Sequence, residues 1–429
     1  MGIIPVVVFV GLAAIGLPIA LVMIVAGLSG AISIGGIGFI EIIADRFYSG
    51  VAGFLLIAVP YFIFTAELMN RAKLTDRLVA FANSLFGKAP GALSHVNVIV
   101  SILFAGLTGA AVTDTVAIGK TLIPAMKREG YHADYAAAVT ACSSIIGPII
   151  PPSIIMVVYA ATLRNLSLID LFVAGLVPGL MMGGALLMVS GWISWRRDYA
   201  SHTDIKFKHI LGTGVRAFPA LMIPVIILGG IVSGITTVTE AAGLGAIYAL
   251  MVGVFGYRTL RLRDIVDSLV STVKFSGVVF FLLGASTILG WYVVRSGIAR
   301  SSAEFIAMVS TVPIIQMFVV NVLLIIIGMF VDVLPAIVIA APALAPAMIQ
   351  LGFDPLHFAV VMLLALNLGN ITPPVGMTLM VGSKIAGVTY ESAFRQSIPF
   401  IIGHLVVLAV ASVFPQLILW LPNLVKNVF

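Results

Sequence analysis

Apolar residues run along this chain in long blocks separated by short polar segments. A helix needs ~20 apolar residues to cross a bilayer. Spans are predicted at about 49–69, 168–194, 216–235, 239–256, 274–294 and 397–421. Residues 1–45 hold no Lys or Arg, and Gly16 and Pro18 divide them into two helices or one bent one. Two further blocks carry helix breakers. Tyr135–Leu163 contains GPIIPPS at 147–153, and Phe358–Val381 contains GNITPPV at 369–375. A proline pair removes backbone donors and clashes with the preceding turn, so both helices are predicted to stop and restart. Carbonyls and amides freed inside a bilayer need partners. Each break is therefore expected to face protein, water or a bound ion.

The apolar stretch from Gly91 to Met126 has Lys88 before it and Lys127 and Arg128 after it. Two full spans and a turn would need ~45 residues, and about 36 are present. A re-entrant hairpin is predicted, with its tip at GLTGAAVTD, 106–114. A second hairpin is predicted from Val312 to Leu351, with its tip near GMFVDVLPA, 328–336.

These features repeat. A shift of 222 residues carries Gly106 onto Gly328, Pro124-Ala125-Met126 onto Pro346-Ala347-Met348, Gly147 onto Gly369 and Pro151-Pro152 onto Pro373-Pro374. Between 106 and 152, 13 of 47 positions are identical without a gap. Lys127 and Arg128 precede Gly130, whereas Gly352 has no Lys or Arg within twenty residues. Equivalent points are thus expected on opposite membrane faces, which makes the repeat inverted. The expected organisation is one membrane domain. Residues 1–200 form the first repeat, with a hairpin at about 91–126 and a broken helix at 135–163. Residues 210–429 form the second, with a hairpin at about 312–351 and a broken helix at 355–381. The polar stretch 196–209 links them.

Composition narrows the class. The chain is 61% hydrophobic and 9% charged, with a mean hydropathy of +1.19, which excludes a soluble globular domain. The net charge of +6 lies in short loops, where it orients spans rather than binding nucleic acid. Arg71, Lys73 and Arg77 place the end of the 49–69 span in the cytoplasm. The N-terminal block lacks a basic n-region and a clear cleavage site, so it reads as a helix and not a signal peptide. Cys142 is the only cysteine, which excludes a disulfide framework. The six histidines show no metal-ligand spacing, and no P-loop pattern is present, which argues against ATP-driven pumping.

A broken helix offers free carbonyls on one side of the gap and free amides on the other. Carbonyl oxygens suit a hard cation such as Na⁺, and amides suit a carboxylate. One candidate cation set is Thr108 with Gly147, Ile150 and Pro152. The other is Gly328 and Asp332 with Gly369, Thr372 and Pro374. Two sets imply at least two Na⁺ per cycle. Gly109, Thr113, Asp114, Ser153 and Asn370 are candidate contacts for an anionic substrate. Asp114 and Asp332 also fit as N-caps of the hairpins' second limbs. They are not equivalent, since Asp114 maps to Ala336. Glu67 and Lys120 fit as snorkelling side chains. A membrane aspartyl protease using both aspartates is the enzymatic alternative, and no paired GxGD-like motif supports it.

The hairpins, GPIIPPS, GNITPPVG and TEAAGLGAIYAL at 239–250 resemble the large membrane (M, DctM-like) subunit of tripartite ATP-independent periplasmic transporters, over essentially the whole chain. The resemblance implies an all-α polytopic protein of the bacterial inner membrane, with an elevator-type fold of the ion-transporter superfamily. It implies a non-enzymatic, Na⁺-coupled importer of an acidic solute such as a C4-dicarboxylate, a sialic acid or another sugar acid. It also implies two protein partners, a small four-helix membrane (Q) subunit and a soluble periplasmic binding (P) protein, and no cofactor beyond the coupling ion. The family's hairpin tip often carries serine where Thr108 or Thr113 stands here. The chain begins at the large subunit's first helix, so the small subunit is expected as a separate polypeptide. A stand-alone carrier of the same superfamily is the alternative.

Overall fold

A computed structural model describes residues 3–35, 40–86, 91–108, 110–163, 166–199 and 207–428. Those residues form twenty α-helices. Eight helices are long and apolar enough to cross a membrane. In chain order the helices are α1 (Ile3–Ala14), α2 (Ile19–Gly35), α3 (Ile40–Val51), α4 (Ala58–Arg71), α5 (Leu74–Phe86), α6 (Ala92–Thr108), α7 (Ala111–Arg128), α8 (Ala133–Ser144), α9 (Ile154–Leu163) and α10 (Leu168–Arg196). Then come α11 (Phe207–Val232), α12 (Val238–Met251), α13 (Leu262–Arg295), α14 (Ile298–Val309), α15 (Pro313–Phe330), α16 (Val333–Gln350), α17 (Pro355–Gly369), α18 (Met377–Ala386), α19 (Tyr390–Val413) and α20 (Gln416–Val428). The N-terminal block is two helices, divided at Gly16, whose φ of +85° suits glycine. The last span begins at Tyr390, earlier than the predicted 397, because Thr389 caps it by accepting from Ser392 N.

The 222-residue shift carries α7 onto α16 end for end. Both helices stop in the same way. Gly130 and Gly352 take φ of +85° and +91°, and the next residue reaches back to a carbonyl five positions earlier, Tyr131 to Met126 and Phe353 to Met348, both at 3.1 Å. Pro151-Pro152 and Pro373-Pro374 are both cis.

Two packing groups result. The 34-residue α13 gathers α2, α3 and α4, and α12 joins α4 to α11. The second group holds α6–α10 and α15–α20. Its halves interlock: α18 lies on α7 and α8, while α9 lies on α16. The Cβ that Gly382 lacks would stand 3.1 Å from Ala137 O, so α18 and α8 pack nearly backbone to backbone. Helices α5 and α14 bridge the groups.

Each limb of the second hairpin has 18 residues, ~27 Å of helix. That approaches a full hydrocarbon thickness. Both limbs are among the eight candidate spans, so chain length does not separate a re-entrant hairpin from a crossing pair, and the flanking charges bear on the first hairpin alone. Lys88 lies outside the described residues.

Candidate functional site

The first broken helix ends α8 at Ser144 and continues in tight turns, with Gly147 N donating to Ser144 O and Ile149 N to Ile146 O. Ser153 restarts it: its hydroxyl donates to Pro148 O and accepts from Met156 N at 3.4 Å. Gly147 is glycine for a steric reason. A Cβ there would stand 2.1 Å from Asp114 Oδ2. The fully buried Asp114, in the first turn of α7, thus fills the space beside the break.

The second broken helix ends α17 at Gly369 and turns through Thr372, whose N–H donates to Gly369 O at 2.9 Å. Gly376 starts α18 with φ +49° and donates to Met329 O of the hairpin at 3.4 Å. Thr378 N donates to Asn370 O at 3.1 Å across the gap. Here Gly369 packs on Gly328. A Cβ on Gly369 would stand 2.5 Å from Gly328 C, and one on Gly328 2.3 Å from Leu366 O.

Both hairpins and both breaks meet at one cavity of about 20 Å³. The first turns of α7 (Ala110, Ala111, Val112) and α16 (Asp332, Val333, Leu334) face Pro148, Ile155, Asn367 and Asn370. Ala110 and Asp332 are repeat equivalents and the N-caps of those two helices. Asn370 Nδ2 donates to Asp332 Oδ1 at 3.1 Å, and Asn367 Nδ2 donates to Leu363 O at 2.8 Å. Those bonds fix both carboxamides. They leave Asn367 Oδ1 and Asn370 Oδ1 buried without a partner among the described residues. Two carboxamide oxygens and a carboxylate, on residues that line one cavity, are the donor types that suit a hard cation. The first turns of α7 and α16 bring the positive ends of two helices to the same place, where they favour negative charge. A cavity of this size holds a water or a bare ion, and no organic acid.

The candidate residues separate accordingly. Asp332 and Asn370 line the cavity. Gly147, Gly328 and Gly369 shape the walls behind it. Ile150 packs against Gly179 of α10, and Pro152 and Ser153 are buried. Thr372 is half-buried with its hydroxyl on Leu368 O, and Pro374 is exposed. Thr113 is exposed on α7, and Asp114 faces Gly147. The Thr108 side chain and Gly109 lie outside the described residues. The N-cap residue of α7 is Ala110, and Asp332, at the N-cap of α16, makes no capping hydrogen bond with its side chain, which accepts from Asn370. Glu67 pairs with Arg71 at 3.7 Å, and Lys120 is exposed. Among the described residues, no three His, Cys, Asp or Glu side chains cluster as metal ligands.

Asn367 was not singled out from the sequence. Its signal was present, since NLGN at 367–370 puts two carboxamides at the end of an otherwise apolar helix, where polar groups mark function. A chain of hydrogen bonds between α6 and α8 was also missed. Asn97 Nδ2 donates to Thr140 Oγ1 at 2.7 Å, Ser143 Oγ to Asn97 Oδ1 at 3.0 Å, and Ser101 Oγ to Ser143 Oγ at 2.8 Å.

Eight candidate spans and two interrupted helices closed on one cavity that holds an aspartate and two asparagines define a multi-pass membrane transport protein. The chain belongs to the DctM family, described as the DctM component of the tripartite ATP-independent periplasmic transporter, which it matches over residues 6–417. It is 36% identical to the sialic acid TRAP transporter large permease protein SiaM of Vibrio cholerae, over 97% of each chain. It is 33% identical to the C4-dicarboxylate TRAP transporter large permease protein DctM of Pseudomonas aeruginosa, over 92% of this chain and 93% of that one. Its fold resembles the crystal structure of the YdaH transporter of Alcanivorax borkumensis, with a TM-score of 0.62 at 12% identity, covering 96% of this chain and 98% of that one.

Proposed function

We propose that this chain is the membrane-crossing permease of a Na⁺-coupled importer of a small organic acid. A soluble periplasmic protein delivers the acid, and a small membrane subunit completes the assembly in the bacterial inner membrane. The observation that carries the reading is the central cavity, where Asp332 and the two unpartnered carboxamide oxygens of Asn367 and Asn370 offer oxygens at a break in the helix. Such a donor set suits Na⁺, and adjoining helix N-termini suit a carboxylate. The relatives' printed cargoes, sialic acid and C4-dicarboxylate, are both carboxylic acids.

The hairpins are re-entrant and the repeats inverted in this reading, so one site opens to either face in turn. The group of α6–α10 and α15–α20 travels as an elevator against the group built on α13. The small cavity fits an occluded conformation that opens to admit the acid. The test is uptake by proteoliposomes under imposed Na⁺ or H⁺ gradients, with succinate and N-acetylneuraminate as cargoes, with and without the two partner proteins. Na⁺-driven uptake that needs the soluble protein supports the reading. Full uptake by the isolated chain would make it a stand-alone carrier.

A further inference from the structure

A second cavity, of about 520 Å³, lies between the two packing groups. Arg46, Thr287 and Trp291 line it from α3 and α13, and Thr162, Pro342 and Pro346 line it from α9 and α16. The same two helices reach the central cavity through Ile155 and Leu334. Thr162 and Pro342 follow those residues by seven and eight positions, which is ~10–12 Å along a helix. The two spaces are thus set about two helical turns apart along one helix pair. The volume of the larger one falls in the range of small-molecule sites; that of the central cavity does not.

The charge is distributed unevenly between the two. Among the described residues, no Lys or Arg lines the central cavity. Arg46 is the charged residue of the larger one, it is exposed, and its guanidinium pairs with no carboxylate among the described residues. Its backbone is held in place, because Thr287 Oγ1 donates to Arg46 O at 2.6 Å and ties α3 to α13. A guanidinium on a fixed backbone presents a planar fork that matches a carboxylate.

We infer that this cavity is a waypoint for the cargo's carboxylate, with Arg46 as the receiving cation on the group that stays still. The inference rests on the organic-acid reading above. It assigns the acid's charge to α3 on the way and to helix N-termini at the central cavity.

The test is phenylglyoxal labelling of Arg46 in the purified full chain, read residue by residue by mass spectrometry. The probes are succinate, N-acetylneuraminate and gluconate, with chloride at matched ionic strength as the control. At least one acid slows Arg46 labelling severalfold, and chloride does not. In proteoliposomes, Arg46→Gln raises the half-saturating cargo concentration about tenfold, the loss of one charge-assisted hydrogen bond. Arg46→Lys raises it less, and both leave the Na⁺ dependence unchanged. The inference is overturned if no acid in the panel slows labelling, or if Arg46→Gln leaves half-saturation unchanged. Protection without uptake by the wild-type system overturns the transport reading and leaves the site standing. Uptake without protection does the reverse.

Discussion

In the first half, α6 is held to α8 by hydrogen bonds through Asn97, Ser101, Thr140 and Ser143. In the second half, α15 is held to α17 by bare backbone, Gly328 on Gly369. The repeat equivalents of those four polar residues are Val319, Leu323, Met362 and Ala365, all apolar. The breaks differ in the same way. The space beside Gly147 is filled by the Asp114 carboxylate, and the space beside Gly369 by the Gly328 backbone. The repeat therefore preserves the course of the backbone and not the means of holding it. Glycine contact gives the closest approach of two helices and leaves nothing to adjust. A side chain filling the same volume can turn.

Substitutions that add one methyl group to each break test that difference, and the largest effect is expected at Gly369→Ala. Its Cβ would meet Gly328 C and Ile325 O, both at 2.5 Å. Backbone cannot move aside, so the cost is ~3 kcal/mol or more. A large fall in detergent melting temperature and loss of uptake are the expected readings. Gly147→Ala comes next, at ~2 kcal/mol, because the obstacle is the end of a side chain. Asp114→Ala in the same chain removes the obstacle, and a double-mutant cycle on melting temperature should return a coupling of ~1 kcal/mol or more. Equal and uncoupled losses at the two glycines would show that the halves are built alike.

A smaller effect is expected from the polar seam. Asn97→Leu removes one bond each from Thr140 and Ser143, whose hydroxyls still donate to Ala136 O and Thr140 O, at ~1 kcal/mol. Replacing all four seam residues with their second-half equivalents removes every partner together. That variant is expected to melt closer to wild type than Asn97→Leu alone. A fourfold variant that melts lower than Asn97→Leu would mean that the seam contributes more than matched polarity.

What was legible in the sequence follows from the same contrast. Glycine and proline mark backbone course directly, so the two breaks, their register and the paired ends of α7 and α16 were readable from residue type. Side-chain volume and direction are not encoded that way. Asp114 reads as a helix cap from its place in the chain, and nothing in the sequence shows that its carboxylate also lies beside Gly147. Asp332 does begin α16, but its carboxylate goes to Asn370, three-dimensional company that a one-dimensional spacing does not reveal. Thr113 and Pro374 sit in the right motifs and face outward. Asn367 lies two residues before the Gly-Pro motif, inside an otherwise apolar helix, where residue type alone does not mark it as part of the break.

In the proposed function, Na⁺ drives the acid through the cavity at Asp332. The most direct measurement is the initial rate of acid uptake against external Na⁺, in proteoliposomes holding the full chain with its partner proteins, for wild type and Asp332→Asn. A saturable Na⁺ dependence is predicted for wild type. Asp332→Asn should need several times more Na⁺ for half-maximal rate, because a neutral carboxamide offsets less of a cation's charge. A rate independent of Na⁺ in the wild type, or one curve shared by both proteins, would contradict the proposed function.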